Sequence, residues 1–312
     1  MMRLKLVPSE TKIDFLRLRK PALGFSSLLV AASILLFTFV GLNLGIDFRG
    51  GILIEARSTS GVADVAGVRA DLGKLGLGDI SLQEFGSQSD ILVRVQRQEG
   101  DEAAQLVAIQ AITATLGDGY EIRRTEFVGP TVGAELAENG IWAVVCALLA
   151  IMVYIWFRFE WQFSIAAIIA LAHDVLSTIG LFALTSFEFN LATVAAILTI
   201  AGYSINDTVV LFDRIRENLR RYKSYEQRDI LNISMNETLS RTVMTSVTTL
   251  LALLAIVVFG GAVLRDFALA MMWGVVIGTY SSLFVAVGIL AMFDLKRHVE
   301  EDEDPGVPPE EG

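Results

Sequence analysis

Cysteine is almost absent from this chain. Cys146 is the single one among 312 residues. It lies in an apolar block, so no disulfide can form within the chain. Charge is also scarce: 19% of residues are Asp, Glu, Lys or Arg, against about 25% in a soluble domain. The formal net charge of -10 comes partly from the tail "VEEDEDPGVPPEEG", and no basic patch suits a nucleic acid. No GxxxxGK[ST] phosphate loop occurs, which argues against ATP hydrolysis. One histidine, His173, falls in an apolar run among scattered carboxylates. That spacing gives no metal-ligand pattern, and no cofactor is implied.

What the chain has instead is apolar length. Hydrophobic residues make up 53%, concentrated in runs near 22–42, 139–157, 163–184, 190–212, 243–260 and 267–293. A spanning helix needs about 20 such residues. The runs predict six transmembrane helices, and the first reads as an anchor rather than a cleaved signal. Lys and Arg set the orientation. The N-terminus holds Arg3, Lys5, Lys12, Arg17, Arg19 and Lys20, and the 213–242 connection holds seven more basic residues from Arg214 to Arg241. The short loops "TSFEF" and "GGAVLRD" hold only Arg265. Both termini and the basic connection are therefore expected on the cytoplasmic side. The expected layout is a cytoplasmic segment 1–21, a first span 22–42, an extracytoplasmic domain 43–138, a bundle of five spans 139–293 and an acidic cytoplasmic tail 294–312.

The 43–138 segment has its own pattern. "GILIEAR" reads as a strand, 62–76 as a helix with Val65, Val68 and Leu72 on one face, and "SLQEF" and "DILVRVQ" as strands joined by a turn. "DEAAQLVAIQAITATLG" reads as a helix ending at Gly117, and "YEIRRTEFVG" as a last strand. The order β-α-β-β-α-β is the split βαβ plan of a ferredoxin-like domain. The segment contains no His or Cys, so a structural or protein-binding module is expected there. The fold class is thus an α-helical polytopic membrane protein with a small α+β extracytoplasmic domain.

Ionisable residues inside spans are costly, at about 2.5–3.5 kcal/mol for a central Asp. Asp207 lies about 10 Å along the helix from Arg214, with Ser204 on its face and Asn206 beside it on another. It is either a helix-holding ion pair or a proton site, since a carboxyl kept from water favours its neutral form. Arg241, at a comparable depth in the fifth span, is the expected partner, with Thr245 continuing its face. Its other reading is a snorkelling interfacial arginine. Asp213 sits one turn from the basic connection and is expected to pair there. His173 and Asp174 fall near the middle of the third span. Adjacent residues diverge by about 100°, so Asp174 is favoured for a polar path and His173 stays open between relay and packing. Gly274, Gly278, Ser281 and Ser282 form a small-residue stripe suited to close helix packing.

Four stretches carry a resemblance: "GIDFRGG" (45–51), "FVGPTVGAEL" (127–136), "LAHDV" (171–175) and "GYSINDTVVLFDRIREN" (202–218). On these, nearly end to end, the chain resembles the SecD/SecF family of bacterial protein-export membrane subunits, in the RND superfamily. The resemblance implies a transporter half whose other half is SecD. It implies work beside SecYEG after the SecA stage, contact with accessory factors of the YajC and YidC type, and exported preproteins as clients. It implies use of the proton motive force in the bacterial inner membrane, with Asp207 and Arg241 as the charged residues of proton passage. It also implies no enzyme activity. Two other readings stay open: an RND-type half exporting a small or lipid-like molecule, and a structural scaffold of the translocon.

Overall fold

The computed structural model describes residues 11–78, 80–100 and 102–295. The first ten residues and the acidic tail from 296 onward lie outside them. A 3-10 turn at Phe15–Leu18 leads into helix α1, Arg19–Phe39. Strand β1 (Asn43–Leu44) and the short helix α2 (Ile46–Arg49) follow. Then come β2 (Gly51–Ser58), α3 (Val65–Gly73), β3 (Ile80–Phe85), β4 (Ser87–Val95), α4 (Glu102–Leu116) and β5 (Tyr120–Val128). Long helices fill the rest: α5 (Pro130–Arg158), α6 (Trp161–Thr185), α7 (Leu191–Arg221), α8 (Gln227–Phe259) and α9 (Gly261–Tyr280). A two-residue strand β6, Glu188–Phe189, separates α6 from α7. After α9 the chain continues as a π-helical turn, Ser281–Ala286, and a final turn α10, Val287–Leu290.

Among the described residues six helices are long and apolar enough to cross a membrane: Phe15–Phe39, Val132–Arg158, Trp161–Thr185, Leu191–Arg221, Gln227–Phe259 and Leu264–Leu290. The last runs through the π turn. Local chemistry sets several ends. Pro130 opens α5 behind Gly129, where its missing N–H costs nothing. Asn190 and Thr193 close a reciprocal capping box at the start of α7. The chain is a polytopic membrane protein with a small mixed domain.

That domain is a four-stranded antiparallel sheet in the order β3-β4-β2-β5, as the split βαβ plan requires. One sheet face, with Ile52, Ile54, Ile91, Val93 and Val95, is sealed under Val68 and Leu72 of α3 and Ala108 and Ile112 of α4. The other face presents Leu53, Glu55, Leu92 and Arg94. Leu53 and Leu92 pack with Ile46, and Leu53, Glu55 and Leu92 border a cavity shared with Glu188, Asn190 and Asp266. Strand alternation alone produces the two faces. At the entry to β2, Gly50 and Gly51 have φ of 71° and 130°. A Cβ on Gly51 would also stand 2.7 Å from the Val95 carbonyl oxygen. Both space and backbone therefore demand glycine in the second half of "GIDFRGG".

One contact was invisible in the sequence. β1 and β6 form a parallel two-residue ladder, Asn43 with Glu188 and Leu44 with Phe189. It ties the exit of the first span to the connection between α6 and α7. Asp47 does not pair with Arg49. Its carboxylate accepts the Leu191 N–H at 2.9 Å, because the ladder brings the α7 N-terminus beside α2. On the opposite side of the bundle, Asn232 and Asn236 of α8 bond the backbone at Leu16 and Ile13.

Candidate functional site

The bundle is held by Phe163, Ala166 and Ala170 of α6, Leu211, Phe212 and Ile215 of α7, and Val285 to Leu290. The sixth span approaches α7 closely. A Cβ on Gly274 would meet Ile200 at 2.3 Å, and one on Gly278 would meet Ser204 at 3.0 Å. The small-residue stripe is therefore a packing surface, and its continuation is polar.

At that continuation sits Asp174, 0% exposed. Its carboxylate accepts Ser204 Oγ of α7 at 2.5 Å and Ser281 Oγ of the π turn at 2.7 Å. His173 Nδ1 lies 2.9 Å from its other oxygen. His173 is buried at 4% exposure, and its Nε2 has no protein partner. The imidazole bends back onto its neighbour, so the 100° divergence of adjacent residues does not separate the two. Ser282 Oγ and Thr208 Oγ1 are 2.8 Å apart, and Thr208 also donates to the Ser204 carbonyl. Asp174, Ser204, Thr208, Ser281 and Ser282 thus form one buried polar chain across three spans.

Asp207 stands one turn past Ser204. Thr242 Oγ1 donates to its Oδ1 at 2.7 Å, while its Oδ2 is buried with no partner. Arg241 is exposed and is not in contact with the Asp207 carboxylate, whose second oxygen has no partner. The helical turn explains this: if residue 242 faces α7, residue 241 points about 100° away. Thr245 is exposed beside Arg241, and Asn206 is exposed on α7. Thr199 and Gly202 of α7 and Thr248 of α8 are exposed as well, and the hydroxyls of Thr199, Thr245 and Thr248 each donate to a carbonyl of their own helix. Tyr203, one turn before Asp207 on α7, buries a hydroxyl without a partner. Asp213 lies outside this group. It pairs with Arg158 at the end of α5 at 2.8 Å and more loosely with Arg216 at 3.9 Å. The partner therefore comes from α5 as well as the basic connection.

Thr242, Ser281 and Arg158 were missed as partners by sequence reasoning. Ser281 and Ser282 carried a signal, being hydroxyls in an otherwise apolar span. Among the described residues no group of three or more His, Cys, Asp or Glu is placed to hold a metal ion.

A membrane-length helical bundle with carboxylates inside it, carrying a split βαβ domain, defines a class: a polytopic membrane protein of the RND kind. Residues 108–296 match the family described as protein export membrane protein SecD/SecF, C-terminal, and residues 34–62 match the SecD/SecF GG motif. The chain is 47% identical to the protein translocase subunit SecF of Rhodobacter capsulatus, across 97% of this chain and 95% of that one. It also resembles the crystal structure of SecDF, a translocon-associated membrane protein from Thermus thermophilus, with a TM-score of 0.82 and 35% identity over 94% of this chain. Against SecDF in a super-membrane-facing form the TM-score is 0.68 at 36% identity. This chain spans 39% and 40% of the lengths of those two SecDF chains. The chain belongs to the SecD/SecF family, on its SecF side, and is a membrane subunit of protein export.

Proposed function

We propose that this chain is the proton-coupled SecF half of a SecD–SecF pair that helps draw exported preproteins through SecYEG after the SecA stage. It sits in the bacterial inner membrane with both termini in the cytoplasm and the small domain outside. Asp207 takes up and releases the proton, Arg241 steadies its charged form, and the Asp174 chain is the next polar station. The observation that carries this reading is the Asp207 carboxylate: one oxygen held by Thr242, the other buried without a partner. A neutral carboxyl tolerates that position, while a charged one calls for a cation. Asn206 and Arg241, exposed on membrane-length helices, support a SecD partner, because such side chains are costly against lipid. A solved SecDF structure that matches this chain is described as a super-membrane-facing form, which supports a subunit with more than one conformation.

The energetics suffice. One proton crossing 100 mV supplies about 2.3 kcal/mol, or roughly a fiftyfold shift between two states. The test uses the SecD complex in vesicles with SecYEG and SecA. Asp207→Asn and Arg241→Met are each expected to abolish proton flux and to remove the export gain that the proton motive force gives. If both variants, at normal abundance, keep wild-type flux and export, the reading fails and the scaffold role replaces it.

A further inference from the structure

Among the described residues one ion pair joins the open face of the sheet to the connection between α6 and α7. Arg94 stands on the central strand β4, opposite Leu53 of β2 and Ser81 of β3. Its Nη2 donates to Glu188 Oε2. Both side chains are largely buried, at 16% and 15% exposure. The guanidinium Nε is buried without a partner. A half-satisfied buried arginine of this kind depends on its one carboxylate.

Glu188 is fixed to α7 rather than hung on a loose loop. Its carbonyl accepts Thr193 Oγ1 at 3.1 Å, and Thr193 belongs to the capping box that starts the helix. The Phe189 carbonyl accepts the Gly45 N–H at 2.9 Å, and Asp47 accepts the Leu191 N–H. A Cβ on Gly45 would stand 2.5 Å from Glu188 Oε1, so the carboxylate lies directly over that glycine. From this anchored end α7 runs without interruption to Asp207, about 24 Å away at 1.5 Å per residue. A shift or tilt at Asp207 therefore reaches Glu188 through one rigid element.

We propose that the Arg94–Glu188 ion pair is the coupling contact through which movement of α7 drives the small domain. This rests on the proton-coupled reading above. Burial pushes the Glu188 carboxyl up from its ordinary value, Arg94 pulls it back, and Asp47 and Asp266 add to the upward push. Arg94 thus offsets part of what burial and the acidic neighbours do to Glu188. Both residues are positioning groups, separate from the proton site.

The distinguishing property is uncoupling. In the complete SecD complex, Arg94→Glu and Glu188→Arg are each expected to leave proton flux within about twofold of wild type, while export driven by the proton motive force falls on the order of tenfold. Combining the two reversals is expected to restore most of the export. Gly45→Ala, whose Cβ would press chiefly on the Glu188 carboxylate and also on Asn190 Cβ at 3.2 Å, is expected to give a milder form of the same phenotype. Protease resistance of the small domain checks that it stays folded; if Arg94→Glu unfolds it, Arg94→Gln and Gly45→Ala carry the test. Wild-type export in the single variants would overturn the proposal, and so would a double reversal no better than either single. Loss of flux together with export would also overturn it, because the pair would then belong to the proton path. Failure of the underlying reading looks different: Asp207→Asn would leave flux and export unchanged.

Discussion

Under the sheet of the small domain, Ile52, Ile54, Leu72, Ile91, Val93 and Ile112 are sealed from solvent. Among the described residues the buried polar groups Ser58, Asp90 and Gln105 at its rim are satisfied. Asp90 holds Arg57 and Ser87, Gln105 bonds the Gln98 backbone twice, and Ser58 bonds Ser60. The bundle buries Phe163, Phe212 and Ile215 as tightly, yet it keeps Asp174 and His173 at its centre. Among the described residues, seven buried side-chain atoms lack a hydrogen-bond partner. Gln162 Oε1, His173 Nε2, Tyr203 OH, Asp207 Oδ2, Asn218 Oδ1 and Trp273 Nε1 are in the bundle, and Arg94 Nε is at the joint. Native structures leave few such atoms, and each calls for an explanation. Their distribution separates an interior built to stay folded from one built to change state.

The comparison breaks first at Asp174. Replacing it by Ala leaves Ser204 and His173 without their acceptor, while Ser281 keeps the Gly278 carbonyl. Each orphaned buried group costs about 1–3 kcal/mol, with neighbours not strictly additive. At about 2–4 °C per kcal/mol, Asp174→Ala is expected to lower the thermal midpoint of the purified complex on the order of 10 °C. Asp174→Asn, which keeps an acceptor oxygen, is expected to lower it by less than half as much. Equal and small losses in both variants would mean that the polar chain does not hold the spans together.

Much of this contrast was legible in the sequence, and the reasons are physical. Long apolar runs report burial in lipid whatever their neighbours do, so the six membrane-length helices could be read directly. The period-two pattern at Ile91, Val93 and Val95 and the helical spacing of Val68 and Leu72 revealed the ferredoxin-like plan. A charged residue in an apolar run also declares itself, which is why Asp174 and Asp207 stood out. Partners did not. Thr242 instead of Arg241 depends on helix rotation, a matter of 100° per residue. Ser281 reaches Asp174 from a π-helical turn, a register that no α-periodic reading anticipates. The β1–β6 ladder is two residues long, too short for any period, and Arg94 meets Glu188 across 94 positions of chain.

A smaller effect tests whether the two interiors are separate cooperative units. Leu72 is fully buried between α3 and the sheet. Leu72→Ala is expected to cost about 2–5 kcal/mol. Hydrogen exchange on the intact chain should then quicken in Gly51–Ser58 and Ser87–Val95 while α6 and α7 stay protected. Loss of protection in α7 as well would merge the two interiors and would place the Glu188 joint inside one folding unit.

The smallest expected effect is at the rim. Asp90 holds Arg57 with two hydrogen bonds at 2.6 and 3.0 Å, and chiefly that hydrogen bonding keeps its carboxyl below the ordinary Asp value. A carboxyl lowered in the folded state binds fewer protons there than when unfolded. It therefore adds stability above the unfolded value, about 3.9, and that stability drains away as pH falls through the folded value. The urea midpoint of the small domain, followed by a dye on the thiol of a Gln98→Cys, Cys146→Ser chain, should fall between pH 5 and pH 3. In Asp90→Asn the fall should be shallower, with a lower midpoint at pH 5 and a smaller difference at pH 3. Parallel curves would mean that Asp90 titrates alike in both states, and that this rim, unlike the bundle, carries no proton-linked energy.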